Sequence, residues 1–361
     1  MTTASFLTAA LMASLVMPAT AGTITLGDPT IDRAIDDSAV GSMFIQPEPL
    51  FPGQMSNWSF FDNDTPGRQV TPVIFQRTGP GAFRIAGIGT TQTSSGGGTQ
   101  SFSFGLTSGS DATGPDYYFG WKDGSNGTNN EGTIDFNASQ HAVRWLGGGH
   151  TSFSVGSPKT VTLDIAYGFP GRAYSLQFTQ TVTGSATGDQ AVARELTDGA
   201  VGSIFAGNDP LPIGFEVTHW GFFDMNGADL GQSVTPLLIE NVAGSYVIRG
   251  IGTPRSSHAE GGQVFDFGLV SGTATPANGN YFIGWKDGTN GTNNDGVIDY
   301  DNNGADSVAY FNTHTSFSDG ENLGAGLALP RSYSIRYLSI PEPGILALFL
   351  LAAPGLCRRR R

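Results

Sequence analysis

The chain has 361 residues, of which only 14% are charged, and its formal net charge is −13. An acidic chain does not present the basic face that nucleic-acid binding needs. Its one cysteine, Cys357, lies close to the C-terminus, so the rest of the chain has neither disulfides nor a thiol for catalysis.

The N-terminal residues have the layout of a secretory signal peptide. An apolar run from Phe6 to Met17 precedes the small-residue triplet Ala19-Thr20-Ala21, which is the pattern of a cleavage site after Ala21. The basic residue that usually leads such a segment is missing, and a buried helix or strand of the fold is the alternative. We expect residues 1–21 to be removed on export.

Most of the remaining chain consists of two copies of one sequence. Val40 in SAVGSMF matches Val201 in GAVGSIF, 161 residues later, and His150 in HTSF matches His314, 164 residues later. WSFFD at Trp58 likewise recurs as WGFFD in the second copy. A unit of this length can bury a core of its own. The duplication therefore predicts two domains, residues 22–180 and residues 181–340.

Each copy has the pattern of a β protein. Short runs rich in aromatic and β-branched residues are separated by Gly, Asn, Asp and Pro, and no long stretch has a sustained helical period. The runs in the first copy are FRIAGIG from Phe83, QSFSFGL from Gln100, DYYFGW from Asp116, GTIDF from Gly132 and YSLQF from Tyr174. Many short strands favour a sandwich or a jelly roll. We therefore predict an all-β chain with two tandem, similar β-sandwich domains of the jelly-roll or lectin-like type.

One polar loop is repeated almost letter for letter. GWKDGSNGTNNEGTIDF begins at Gly120, and GWKDGTNGTNNDGVIDY begins at Gly284. Asp-Gly and Asn-Gly pairs favour turns with positive φ, so one interpretation is a long hairpin between a strand that ends at Trp121 and another that starts at Thr133. A recent duplication would preserve such a loop without any function.

Calcium binding is the functional interpretation of this loop, because Ca²⁺ takes oxygen ligands from Asp, Glu, Asn and backbone carbonyls. In the second copy Asp299, Asp301 and Asn303 fit the opening D-x-D-x-N-G of an EF-hand loop, although Tyr310 stands where the bidentate Glu is expected. The candidate metal ligands are Asp123, Glu131 and Asp135 in the first copy and Asp287, Asp295, Asp299, Asp301 and Asn303 in the second.

Carbohydrate binding and catalysis have their own candidates. Trp121 and Trp285 recur in the two copies and would stack on a sugar face if exposed; burial in the core is the alternative. A carboxylate pair such as Asp123 with Glu131 is of the kind that cleaves a glycosidic bond, but both residues lie in one loop and such chemistry needs rigid placement. We therefore predict a protein that is not an enzyme.

The C-terminal segment has three parts in order. Pro341-Glu342-Pro343 precedes an apolar run from Ile345 to Cys357, which predicts a short hydrophobic helix. A full membrane span needs about 20 apolar residues, so this shorter run suits a transient anchor. The basic end of the chain consists of Arg358, Arg359, Arg360 and Arg361.

Residues 341–361 resemble the PEP-CTERM sorting signal of exosortase-processed bacterial proteins, a signature also labelled ice-binding protein C-terminal domain. The resemblance implies export, transient membrane association, cleavage near Pro341-Glu342-Pro343 by exosortase-type machinery, and delivery to the cell surface or an exopolysaccharide matrix. It covers only the tail and implies nothing about ice binding or the activity of the body. We predict a non-enzymatic surface or matrix protein that binds carbohydrate or is structural; the alternatives are a secreted glycoside-active enzyme and a purely structural spacer.

Overall fold

The computed structural model describes residues 21–342 except 36, 64–65, 139–142, 162, 165–171, 191–193, 225, 259–260 and 303–306. This part of the chain folds into antiparallel strands, and its one helical turn is the 3-10 segment Gly227–Asp229. The predicted all-β fold is confirmed. Residues 1–20 of the predicted signal peptide and the predicted C-terminal helix lie outside the described residues. Among those described, no helix has the length and apolar character to cross a membrane.

The described residues of the first repeat form sixteen strands. They are β1 (Ala21–Gly27), β2 (Met43–Pro49), β3 (Gly53–Asp62), β4 (Gln69–Gly79), β5 (Ala82–Ile88), β6 (Gln92–Thr93), β7 (Gly98–Ser103), β8 (Ser108–Gly109), β9 (Ala112–Thr113), β10 (Tyr117–Asp123), β11 (Phe136–Ala138), β12 (Arg144–Trp145), β13 (Pro158–Thr160), β14 (Leu163–Asp164), β15 (Arg172–Tyr174) and β16 (Leu176–Thr183).

In the second repeat, seventeen strands lie within the part of the chain that the structure describes. They are β17 (Ser185–Gly188), β18 (Leu196–Thr197), β19 (Ile204–Pro210), β20 (Phe215–Asp224), β21 (Ser233–Val242), β22 (Ser245–Ile251), β23 (Arg255–Ser256), β24 (Gly261–Asp266), β25 (Ser271–Gly272), β26 (Tyr281–Thr289), β27 (Thr292–Asn293), β28 (Asp299–Asp301), β29 (Val308–Phe311), β30 (Asn322–Gly324), β31 (Leu327–Leu329), β32 (Ser332–Tyr333) and β33 (Ile335–Pro341).

The main strand order is the same in both repeats. In the first, β1-β16-β3-β7 form a small sheet and β13-β5-β4-β10-β2-β12-β14 form a large one. The second has a small sheet β17-β33-β20-β24 and a large sheet β25-β22-β21-β26-β19-β29-β31. The separate pair β11-β15 corresponds to β28-β32, which gains the edge strand β18. The sequence duplication is therefore a duplication of the whole fold.

The core of the first repeat lies between its two sheets. Phe119 of β10 stacks on Phe178 of β16 with ring centroids 4.6 Å apart, and Trp58 of β3 lies 6.5 Å from Phe119. Buried and half-buried residues alternate along β16, as expected for a strand with one face on a core. Two sheets that share one aromatic core form the predicted sandwich.

The boundary between the repeats lies at Gly184. β16 runs to Thr183 and is paired along its length with β1 and β3, so residue 180 falls inside a strand and not between two domains. β17 begins at Ser185.

The duplicated loop is not the long hairpin that its sequence suggested, because the strands on its two sides do not pair with each other. β10 pairs with β2 on one side and β4 on the other, whereas β11 pairs with β15 in a different sheet. The predicted strand at Thr133 is also shorter than expected, since β11 starts at Phe136. In the second copy the loop begins with a short hairpin, because β26 turns at Asn290-Gly291 and pairs with β27. In the first copy the loop carries the chain from the large sheet to the two-stranded one.

The two repeats pack against each other through β2 and β24. Gly262 of β24 lies so close to β2 that a Cβ atom on it would meet Pro49 Cδ at 2.4 Å. Tyr118 Oη donates to the Gly262 carbonyl at 3.5 Å, and Val264 is buried in the core of the first repeat. A larger residue at position 262 would separate the strands, so the contact depends on this glycine.

Candidate functional site

A buried lysine occupies the centre of the duplicated loop. Lys122, near the end of β10, has no exposed surface, and its Nζ donates to the Asp123 carbonyl at 2.9 Å, the Thr128 carbonyl at 2.8 Å and Asn129 Oδ1 at 3.0 Å. We refer to this ammonium and its three oxygen acceptors as the lysine cage. An ammonium group has three N–H donors, and all three are used. The loop therefore wraps around a cation that belongs to the chain itself.

The second copy reproduces the lysine cage. Lys286 Nζ donates to the Asp287 carbonyl at 3.0 Å, the Thr292 carbonyl at 2.9 Å and Asn293 Oδ1 at 3.0 Å. Burial lowers the pKa of Lys286, and of its counterpart in the first copy, to about 8, and the adjacent aspartate opposes this shift. The near identity of the two loop sequences is thus matched by near identity of their contacts.

The HTSF motif, residues 150–153 in the first copy, packs against the loop that forms the lysine cage. Asn129 Nδ2 donates to Thr151 Oγ1 at 3.1 Å, and Asn126 Oδ1 accepts from the Phe153 backbone N–H at 3.1 Å. The Phe153 ring centroid lies 5.8 Å from Lys122 Nζ. The second copy has the same contacts between Asn293 and Thr315, Asn290 and Phe317, and Lys286 and Phe317. The two motifs that the sequence repeats most closely form one structural unit.

The predicted metal ligands lie in different settings. The buried ones are Asp123, Asp135, Asp287 and Asp299, and the exposed ones are Glu131 and Asp295. Glu131 forms an ion pair with Arg68. Across the described ranges, no three Asp, Glu, His or Cys side chains are grouped so that they could hold a metal ion.

The EF-hand-like segment of the second copy forms a strand. Asp299 and Asp301 lie on β28, where Asp299 accepts from Thr197 Oγ1 at 3.0 Å and Asp301 pairs with Arg194 at 3.0 Å. An EF-hand loop must curl around its ion, which a paired strand does not do. Asn303 lies outside the described residues. Calcium binding stays a prediction from the sequence.

The aspartate next to each caged lysine is buried in a low-dielectric setting. Burial raises the pKa of Asp123 and Asp287 well above its ordinary value; the carboxyls of Asp37 and Asp198 add to the shift, and the neighbouring lysines oppose it. Neither carboxylate oxygen of Asp123 has a hydrogen bond of normal geometry to a described residue. Such a group favours its uncharged form.

The two candidate tryptophans are core residues. Trp121 and Trp285 have no exposed surface and stack on Phe44 and Phe205, with ring centroids 4.8 Å and 5.0 Å apart. Their strands lie in the middle of the large sheets, and these aromatic side chains fill the space between the sheets. The prediction that these residues contact a sugar is corrected, because their ring faces are covered by protein.

Sequence reasoning missed a buried group in each repeat. Tyr333 Oη donates to Asp198 at 2.8 Å, and Arg331 lies 3.7 Å from the same carboxylate. The first copy has the same arrangement with Asp37, Tyr174 and Arg172. A signal was present, since each aspartate stands just before the repeated AVGS and each tyrosine precedes a serine in the repeated YS pair.

The predicted processing residues are placed only in part. Ala21 is the first residue of β1, and Pro341 is the last residue of β33. The Glu342 backbone N–H donates to the Gly214 carbonyl at 3.1 Å, so it is still bound to the second repeat. Pro343 and the terminal arginines lie outside the described residues.

A polar cleft of about 260 Å³ lies between the two repeats. Its first-repeat wall includes Arg77, Asp116 and Tyr118, and its second-repeat wall includes Arg255, His258, Gln263, Phe265 and Asp266. The Arg255 guanidinium lies over the half-buried Phe265 ring at 5.7 Å, and Asp266 pairs with His219 Nε2 at 3.0 Å. Donors, acceptors and an aromatic ring thus converge where the repeats meet, a common place for ligand sites.

No protein-family model, curated protein or solved structure matches this chain.

Proposed function

We propose that this chain is an exported, non-enzymatic surface or matrix protein that binds polysaccharide in the cleft between its two repeats. The predicted signal peptide and the resemblance of the tail to a sorting signal support export and sorting. The cleft supports binding, and it is the single observation that carries the proposal, because it presents polar side chains from both repeats to one volume.

The chemistry of the cleft suits a sugar. Sugar hydroxyls both donate and accept hydrogen bonds, and the cleft offers the guanidinium of Arg255 as a donor and the exposed carboxylates of Asp116 and Asp266 as acceptors. The half-buried Phe265 ring offers an apolar surface for the C–H face of a sugar. Each sugar unit would engage both walls, so binding also depends on the contact between the repeats.

A glycoside-active enzyme is less well supported. The carboxylate pair considered from the sequence is split, because Asp123 is buried and Glu131 is exposed beside Arg68. Glycoside cleavage needs two carboxyl groups on either side of a bound sugar. A purely structural spacer is the second candidate, and the burial of Trp121 and Trp285 favours it.

Co-sedimentation of the exported protein with polysaccharide purified from its own cells tests the proposal, with dextran as the neutral comparison. We expect retention, and we expect the double variant Arg255→Ala with Asp266→Ala to lose most of it. Arg84→Ala is the matched control, since Arg84 bonds Gln76 on the exposed side of another strand pair. If the wild-type protein is not retained by the polysaccharide, the binding proposal is wrong and the structural spacer becomes the better candidate. Release of reducing sugar would favour the enzyme.

A further inference from the structure

We propose that Lys122 is joined to Asn129, and Lys286 to Asn293, by an intramolecular isopeptide bond, so that each duplicated loop is a covalently closed ring. In both copies Nζ lies 3.0 Å from the asparagine side-chain oxygen. Both lysines are fully buried, and both asparagines are half-buried. This modification is independent of what the cleft binds.

The amine is oriented toward the carboxamide. Nζ is tetrahedral, and its three neighbours in the first copy are the carbonyls of Asp123 and Thr128 and the side chain of Asn129. When the amine is neutral, its two N–H groups continue to donate to the two backbone carbonyls. The lone pair then occupies the third direction, which points at Asn129 Oδ1, and rotation of the carboxamide about its Cβ–Cγ bond would present Cγ to the amine.

The surroundings favour the neutral amine that the reaction needs. Burial lowers the pKa of Lys122 to about 8 and raises that of Asp123 above its ordinary value. Both shifts favour the uncharged form of each group, because burial penalises charge, and the proton that Nζ gives up is released to solvent. A desolvated lysine that has lost its proton is an effective nucleophile. The buried ring of Phe153 helps to keep water from Nζ.

The side-chain nitrogen of each asparagine, which leaves as ammonia, also has a hydrogen-bond partner. Asn129 Nδ2 lies 3.1 Å from Thr151 Oγ1, and Asn293 Nδ2 lies 3.0 Å from Thr315 Oγ1. As the Nζ–Cγ bond forms, Nδ2 becomes an amine in the tetrahedral intermediate and can accept a proton from this hydroxyl, which is resupplied from Nζ. The Cγ–Nδ2 bond then breaks. One amine and one carboxamide give one secondary amide and one ammonia, and no oxidant or cofactor is consumed.

The backbone holds the pair at close range. A Cβ atom at Gly124 would meet Lys122 Nζ at 2.9 Å, and one at Gly41 would meet Asn129 Cγ at 2.3 Å. Because glycine has no Cβ, the backbone at these two positions can pack directly against the amine and the carboxamide. This close packing holds the two reacting groups in contact, as the reaction requires.

Intact-mass measurement of the purified full chain tests the proposal. Each bond removes one ammonia, about 17 Da, so two bonds lower the mass by about 34 Da relative to the sequence. The chain has three lysines, Lys122, Lys159 and Lys286. After complete unfolding, an amine-reactive label should therefore modify Lys159 alone among the lysines, and trypsin should not cleave after the other two. Lys122→Arg keeps the positive charge but cannot form the amide. The measured mass of this variant should therefore be lower than its sequence mass by one ammonia instead of two.

Ammonia can also be lost by succinimide formation at the five Asn-Gly pairs of the chain, which begin at Asn126, Asn226, Asn278, Asn290 and Asn303. A succinimide hydrolyses in mild alkali and persists in Lys122→Arg with Lys286→Arg, whereas an isopeptide bond survives alkali and is absent from that double variant. Fragment spectra that join Lys122 to Asn129 would support the proposal. A mass equal to that of the sequence, with all three lysines labelled, would overturn it and leave the cage as a hydrogen-bonded one; so would a mass loss that the double variant retains.

Discussion

Tyr333 donates a hydrogen bond to the buried carboxylate of Asp198 at 2.8 Å and so joins β32 to the segment that follows β18. Asp198 also accepts from the Ala200 backbone N–H at 3.1 Å, and Arg331 lies 3.7 Å away. A buried carboxylate is costly unless such partners replace the water it has lost. The tyrosine hydroxyl is therefore a structural element of the second repeat, and its counterpart bonds Asp37 in the first.

Removing that hydroxyl should destabilise the fold. We expect Tyr333→Phe to lower the free energy of unfolding by about 1–3 kcal/mol, since it leaves a buried acceptor with one donor fewer. Urea denaturation followed by tryptophan fluorescence measures the change. Tyr246→Phe is the matched control, because the Tyr246 ring packs on Phe311 and its hydroxyl has no hydrogen bond within the described part of the chain. Equal stability of Tyr333→Phe and wild type would contradict this assignment.

The lysine cage should not tolerate a side chain at Gly124. Gly124 and Gly127 both have φ of +108°, but a Cβ at Gly124 would meet the Thr128 carbonyl oxygen at 2.3 Å, whereas one at Gly127 has nothing within 4 Å. Alanine at either position carries a similar backbone strain, so the difference between the two variants isolates the contact. We expect Gly124→Ala to be less stable than Gly127→Ala by about 1–3 kcal/mol in thermal or urea unfolding. Similar stabilities would mean that the loop can move away from the cage.

The all-β fold could be predicted from the sequence because the residue patterns that indicate strands are local. The alternation in QSFSFGL predicts exposed serines and packed phenylalanines, and Ser101 and Ser103 are exposed while Phe102 packs against Trp58. The duplication predicts one strand order used twice, which the two large sheets have.

The lysine cage and the cleft could not be predicted from the sequence in the same way. The composition of the loop, rich in Asp, Asn and Gly, is that of a calcium loop, and nothing local indicates that Lys122 supplies the cation. The contact between Asn129 and Thr151 joins two motifs that are far apart in the chain, and the cleft exists only because β24 packs on the first repeat. These features depend on tertiary contacts that periodicity and spacing do not encode.

Two buried aspartates should make the stability depend on pH. Burial raises the pKa of Asp224 to about 7 and that of Asp299 to about 8, from an ordinary value of 3.8. Between pH 4 and 7 the folded state keeps protons that the unfolded state has released, so the stabilisation is complete at the acid end and is lost as the pH rises. We expect the free energy of unfolding to fall with a slope on the order of 1 kcal/mol per pH unit per carboxyl.

Urea unfolding at pH 5, 6 and 7 measures this slope. Asp224→Asn and Asp299→Asn should each flatten it, because an amide does not titrate. Asp32→Asn is the control, since Asp32 is exposed and its charge is solvated in both states. A slope that is unchanged in both buried variants would mean that other groups govern the pH dependence.

The last strand of the second repeat limits where the C-terminal segment can be cleaved. Pro341 pairs with Phe215 in the small sheet, and Glu342 bonds Gly214, so the fold protects the start of the Pro-Glu-Pro triplet. We expect the mature protein at the cell surface to begin at Gly22, to end at or after Glu342, and to lack Arg358 to Arg361. The intact mass of protein released from whole cells checks this. A mature form that still ends in Arg361 would contradict the sorting signal, and one that ends before Pro341 would mean that β33 opens before cleavage.

The lysine cage changes the effect that calcium is expected to have on stability. The Thr128 carbonyl and Asn129 Oδ1 lie against Lys122 Nζ, and the matching oxygens of the second copy lie against Lys286 Nζ, so Nζ occupies the place that a cation would take beside them. We therefore expect the same melting temperature in chelator and in millimolar calcium by differential scanning calorimetry. A ligand that binds only the folded state at a hundredfold excess over its Kd would add about 2.7 kcal/mol, a shift that the method detects readily. Melting that rises with calcium, and no longer does so in Asp299→Asn with Asp301→Asn, would show that the carboxylates of β28 gather around the ion and that the calcium interpretation of the sequence is right.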